Sequence, residues 1–142
     1  MKIRSFKPKD KKSVSELYYE LHPIEKGKKS MISLNKLRIK RVLFIAEENK
    51  EIVGFVLGHL ISYADFKYGS IDEFFVKKEF RGRKIGSLLL KKAIKELEKF
   101  NPNLILVGTE KTNKEAIKLY QKIGFEIGKK SLLFYWNPKK KY

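Results

Sequence analysis

Between Gly69 and Phe100 the chain carries the pattern that most restricts its fold. A β-branched and aromatic run ends at Val76, a short basic segment with two glycines follows, and an amphipathic helix opens near Ile85. Over Ile85–Phe100 the side chains of Ile85, Leu88, Leu89, Ala93, Ile94 and Leu97 recur at helical spacing, with lysines opposite. A helix with one apolar stripe must bury that stripe, and the neighbouring strands supply a sheet to bury it on.

The remaining elements fit the same plan. Val42–Glu47 and Ile52–Ile61 read as strands joined by a hairpin at Glu48–Glu51. Asn101-Pro102-Asn103 is a turn before the apolar strand Leu104–Val107. Asn113–Lys122 is a second amphipathic helix through Ala116, Ile117, Leu119 and Tyr120, with Gly124 placed to close it. Near the start, Met1–Phe6 reads as a short strand broken by Pro8. Asp10 then stands as N-cap of a helix over Lys11–Leu21, which His22-Pro23 ends. Ser30–Arg38 is expected to form a further short helix, and Leu132–Trp136 a last strand. The order βααβββαβαβ predicts one α/β domain over residues 1–142, a mixed sheet flanked by helices.

Composition narrows the class of partner. The 142 residues include 33 Lys or Arg and 16 Asp or Glu, a formal net charge of +17, but hydrophobic residues make up 42%, too many for a disordered basic tail. With no Cys there is no disulfide framework, thiolate zinc site or cysteine nucleophile. No apolar run reaches the ~18 residues of a membrane helix, and the expectation is a cytoplasmic protein that does not engage membranes. The charge is uneven. Residues 1–41 carry 13 basic and 4 acidic side chains, residues 42–80 carry 4 and 7, and residues 81–142 carry 16 and 5. An acidic middle containing Asp72 and Glu73 therefore lies between two basic ends.

Arg81-Gly82-Arg83-Lys84-Ile85-Gly86-Ser87 joins the strand to the helix. Such a turn suits a phosphate: the first helical turn presents unpaired N–H groups, the helix dipole adds positive potential, and glycine admits close approach. The glycine spacing excludes a P-loop and a dinucleotide fingerprint.

This strand–turn–helix resembles motif A of the GNAT superfamily of acetyltransferases: Arg81 and Gly86 fit its ends, while Lys84 stands where the family usually has a glycine. Asn113 to Phe125, with Asn113, Ala116 and Tyr120 on one helix ahead of Gly124-Phe125, is similar to the family's motif B. Asp72 to Val76 with Arg81-Gly82 also resembles the spermidine/spermine N-acetyltransferase branch, on fewer residues.

The resemblance implies a GNAT fold over the whole chain: a mixed, mostly antiparallel sheet whose fourth and fifth strands, Gly69–Val76 and Leu104–Val107, splay apart around acetyl-CoA. It places the pantetheine arm on backbone groups of Phe74 and Val76; the side chains of Phe74 and Phe75 read as core or cleft lining. The Val76 amide would also polarise the acetyl carbonyl. The pyrophosphate would sit on Gly82, Arg83, Lys84, Ile85, Gly86 and Ser87, with Arg81 opening the turn and Asn113 and Ala116 touching the pantetheine side. Lys84 would cost roughly 1 kcal/mol if its position needs φ > 0.

By the same resemblance Tyr120 is the general acid that protonates the departing CoA thiolate, against a plain reading as a core aromatic. Asp72 and Glu73 are the candidates for the carboxylate that takes the acceptor's proton; adjacent on a strand, they are expected on opposite faces. His59, inside an apolar strand, reads as structural, and His22 as a loop residue on the acceptor side. Two histidines so separated make no metal site, and no metal is expected.

The expected activity is direct attack of a primary amine on acetyl-CoA. The acceptor would be a small molecule or a protein amine, with a cationic one suiting the acidic segment. The alternative is a non-catalytic basic module binding nucleic acid or CoA on the same scaffold; the charge permits a nucleic-acid partner without requiring one. Sequence leaves the oligomeric state open, a homodimer included.

Overall fold

The structure, a computed structural model, describes residues 4, 7–10, 12, 13, 17, 38–63 and 66–128. The strands expected at Met1–Phe6 and Leu132–Trp136, the helix expected from Ser30 and His22 lie outside these residues, apart from Arg4 and Arg38. Lys12, Ser13 and Leu17 are helical, but Asp10 ends a 3-10 turn over Pro8–Asp10 and its carboxylate accepts from the Lys7 N–H and from Arg4. The chain forms two compact units, Met1–Gly108 and Thr109–Tyr142.

The first unit holds a four-stranded sheet in the order β1 (Arg38–Glu48), β2 (Glu51–Tyr63), β3 (Phe66–Val76), β4 (Leu104–Val107). The first three strands run antiparallel, and β4 joins β3 in parallel. The sheet is therefore mixed and mostly antiparallel. Strand β1 starts at Arg38, earlier than the apolar pattern suggests, because Arg38–Arg41 pair with Ser62–His59 of β2. Asn49 (φ 50°) and Lys50 (φ 65°) form the two-residue hairpin between them. Positive φ at both residues lets the turn follow the twist of its strands.

Helix α1 (Ile85–Glu98) covers one face of the sheet, and the core lies between them. Leu89, Leu90, Ala93 and Leu97 of α1 are buried with Val42, Val56, Leu60, Ile71 and Val76 of the strands. The helical stripe is thus rotated from the expected one. Leu90 is fully buried and Leu88 is 66% exposed. Leu90, Ala93 and Leu97 repeat at i, i+3, i+7, the spacing that meets a flat sheet, whereas Leu88 falls off that line.

A β-bulge interrupts β3. Leu57 pairs with Glu73 but Gly58 pairs with Ile71, which leaves Asp72 as an extra residue. A Cβ on Gly58 would stand 2.5 Å from the Ser70 carbonyl oxygen. Glycine at this position therefore lets the two backbones approach beside the bulge.

In the second unit, helix α2 (Lys114–Ile123) is closed at both ends by its own sequence. Asn113 Oδ1 accepts from the Ala116 N–H at 3.1 Å. At the other end Gly124 takes φ 119°, and the N–H groups of Gly124 and Phe125 bond to the Tyr120 carbonyl.

Candidate functional site

Among the described residues, strand β3 leaves an open backbone edge. It pairs with β4 only from Tyr68↔Leu104 to Ile71↔Val107, and pairing stops at the bulge. Beyond it, Lys77 N–H bonds the Val53 carbonyl at 2.8 Å, so Lys77 faces β2. Strand alternation then turns the main-chain groups of Val76 and Phe74 away from β2, towards the side that β4 has left. Phe74 is half-buried and Phe75 is 48% exposed on the face opposite α1, where it pairs with Phe55.

The Val76 carbonyl accepts from Arg81 Nε at 2.9 Å, and the Arg81 guanidinium lies 5.6 Å from the Phe75 ring centroid. Arg81 thus ties the turn to the end of β3. After it, Gly82 (φ 78°) and Lys84 (φ 65°) both take the left-handed conformation. The position departing from the family's glycine is one that does require positive φ, and Lys84 bears that strain as the N-cap of α1.

The first intrahelical bond runs from Leu88 N–H to the Lys84 carbonyl at 3.0 Å. The N–H groups of Ile85, Gly86 and Ser87 precede it and lack intrahelical partners. Arg83 reaches Glu48 at 3.5 Å and stacks 5.1 Å from the Phe80 ring centroid. No described residue pairs with the Lys84 ammonium, which is exposed. The turn therefore combines free N–H groups, a helix N-terminus and an uncommitted cation, an arrangement that accepts phosphates.

The bulge corrects the expected placement of the carboxylates. Glu73 is opposite Leu57, so it shares the face of Phe55, Leu57 and His59. Asp72 meets His59 on that same face, Nδ1 to Oδ2 at 2.5 Å. The two acidic side chains therefore lie on one face, because the inserted residue shifts the alternation by one. His59 is the partner that sequence reasoning assigned to structure alone. An isolated glycine within an apolar strand is the available signal, since Gly58 marks the bulge that brings His59 and Asp72 together. No described residue pairs with the Glu73 carboxylate. Among the described residues, no cluster of three or more His, Asp or Glu side chains could hold a metal ion, and no helix is long and apolar enough to cross a membrane.

In the second unit Tyr120 is half-buried on α2, its ring edge-to-face with Phe125 at 6.0 Å between centroids. Burial raises its phenol above the ordinary 10.0. The side chain thus keeps its proton throughout the neutral range. Asn113 uses its side chain to cap α2, and Ala116 gives the capped N–H.

Comparison with known proteins agrees with the architecture. Residues 11–125 match the sequence pattern of the acetyltransferase (GNAT) family. N-alpha-acetyltransferase 30 of Xenopus laevis is 33% identical over 98 residues, covering 68% of this chain and 36% of that protein. An uncharacterised N-acetyltransferase of Methanocaldococcus jannaschii is 35% identical over 86 residues, covering 58% of this chain and 38% of that protein. The chain thus spans little more than a third of the length of these relatives. An aminoglycoside N-acetyltransferase solved with CoA superposes with a TM-score of 0.60 at 19% identity, covering 96% of this chain and 98% of that one, a likeness of fold.

Proposed function

Because the chain belongs to the acetyltransferase (GNAT) family, we propose that residues 1–142 act as a single acetyltransferase domain that moves an acetyl group from acetyl-CoA to a primary amine. The observation that carries this reading is the open edge of β3 at Phe74 and Val76, followed directly by a turn with free N–H groups at Ile85, Gly86 and Ser87. The pantetheine arm of CoA carries amides that can continue a sheet edge, and the pyrophosphate of CoA suits the helix N-terminus. Arg81 and Arg83 hold the turn, and Lys84 faces the phosphates.

In this reading the Val76 N–H receives the charge that develops on the acetyl oxygen. Asp72 and Glu73 draw the cationic acceptor, and its deprotonation takes place on their face. The amine attacks the thioester carbon, the C–S bond breaks, and Tyr120 gives the thiolate a proton. Asn113 and Ala116 lie along the pantetheine. The acidic face favours a cationic acceptor, whether a polyamine-like or amino-sugar-like molecule or a protein amine. The relationship to N-alpha-acetyltransferase 30 adds a protein N-terminus to the candidates.

The test is turnover of diverse amines with acetyl-CoA, read as free CoA thiol, beside calorimetric binding of CoA. Gly86→Glu should abolish CoA binding with the fold intact, because it sets a carboxylate against the phosphates. Faster acetylation of cationic amines than of neutral or anionic ones is expected. Steeply salt-dependent nucleic-acid binding without CoA binding would instead establish a basic binding module.

A further inference from the structure

The face that carries the two carboxylates also carries a histidine that sequence reasoning set aside. His59 stands on β2 at the bulge, and its Nδ1 lies 2.5 Å from Asp72 Oδ2, with the side chains 28% and 31% exposed. An ionised carboxylate only accepts hydrogen bonds, so Nδ1 carries the proton of this contact. In neutral imidazole the other nitrogen, Nε2, then holds a lone pair. The ring is held by Asp72 and by the edge of Tyr68, and its backbone lies between two paired strands. The Tyr68 ring lies edge-on at 6.4 Å between centroids, Ser70 pairs across β3, and Arg41 pairs across β1. Among the described residues, the titratable and charged groups beside His59 on this face are Asp72, Glu73, Tyr68 and Arg41, with Glu47 farther along β1. The bulge residue Asp72 directly follows Ile71, the last residue of β3 paired to β4, which puts the pair at the edge of the open segment.

We propose that His59 is the residue that takes the acceptor's proton, through Nε2, and that Asp72 is its positioning residue; this rests on the acetyl-transfer reading above. An imidazole is ordinarily a stronger base than a lone carboxylate by about two pH units, and a carboxylate on Nδ1 stabilises the imidazolium as it forms. The step balances. The alkylammonium gives one proton to Nε2, and the freed nitrogen lone pair attacks the thioester carbon. As the C–S bond breaks, the sulfur takes a proton from Tyr120 and the new amide nitrogen loses one that restores Tyr120. His59 returns its proton to water. Glu73, on the same face, remains to attract the ammonium.

The experiment measures kcat/KM for spermidine, and for a short peptide with a free α-amino group, in wild type and His59→Gln. Gln keeps a donor for Asp72 but cannot accept a proton at neutral pH. At pH 7 the variant should lose about a hundredfold, the scale of general base catalysis. The loss should shrink below about tenfold near pH 9.5, where an alkylamine of pKa about 10 supplies its own free base. A ratio constant with pH would mark His59 as structural, and no loss would exclude it; either overturns the proposal and leaves acetyl transfer standing. Should His59→Gln lose CoA binding, Asp72→Asn is measured in the same way, with about a tenfold loss at pH 7 and the same pH trend expected. No turnover of either probe by wild type would overturn the acetyl-transfer reading and this proposal with it.

Discussion

Arg81 Nε donates a 2.9 Å hydrogen bond to the carbonyl of Val76. The residue that opens the basic turn is thereby bound to the last residue of β3, which ties the turn to the open strand edge. Lysine would keep the charge but lose the planar donor. Arg81→Lys should weaken acetyl-CoA binding about tenfold and lower stability by about 1 kcal/mol, the net value of one hydrogen bond. Calorimetric titration and thermal melting check it; an unchanged Kd would show that the tie does not serve binding.

Lys84 tests a different compromise. Its φ of 65° costs a non-glycine residue roughly 1 kcal/mol, yet its ammonium is uncommitted beside the free N–H groups of the first turn of α1. Lys84→Gly should raise the melting temperature by a few degrees while weakening CoA binding several-fold. The wild-type affinity should fall faster with added salt than the variant's. If stability and affinity rose together, the lysine would have no part in holding phosphate.

Tyr120→Phe should lower the acetyl-transfer rate by about a hundredfold with little change in CoA affinity, since only the proton donor is removed. Burial favours the neutral phenol, so its folded-state pKa lies above 10.0. That contribution to stability is present below the unfolded value and is lost as pH rises through the folded one. Activity that depends on the phenol should hold through mildly alkaline pH and fall beyond 10.0. Steady-state rates across pH, compared between the two proteins, measure this.

Asp10 offers an acid-side test independent of the site. Its carboxylate accepts from Arg4 Nη1 and Nη2 at 2.7 and 2.9 Å and from the Lys7 N–H at 2.8 Å. The Arg4 hydrogen bonds, with that of Lys7, lower its pKa from 3.8 to about 2. A depressed carboxylate stabilises the fold above its unfolded pKa, and that contribution is lost as pH falls through the folded value. Wild type should melt above Asp10→Asn at about pH 5, and the difference should shrink as pH falls below 3.8 and vanish only below about 2. A difference that persists at the acid end would assign the effect to something other than ionisation.

The legible parts of the chain are those governed by local chemistry. The strand at Leu104–Val107 is bounded by Asn-Pro-Asn before it. Asn113 and Gly124 close α2 because a side-chain oxygen and a residue free to take positive φ satisfy a helix's own unpaired groups. Ile85 starts α1 as its periodicity predicts. The choice between Leu88 and Leu90 as the buried residue was less legible. Both are leucines on the same helix, and only the sheet's position selects Leu90.

What the sequence by itself determined is the order of strands and helices, the caps, and a basic turn at a helix N-terminus. Each depends on residues a few positions apart. Tertiary structure alone decided that Asp72 and Glu73 share a face and that His59 joins Asp72. Those facts follow from one extra residue in the pairing of β3 with β2, opposite Gly58. Strand register is set by contacts between distant segments, and a slip of one residue turns a side chain to the other side of the sheet. A period-two reading of Asp72-Glu73 cannot detect it. The acidic middle of a chain with net charge +17 thus became a face with a histidine in it only when the strands met.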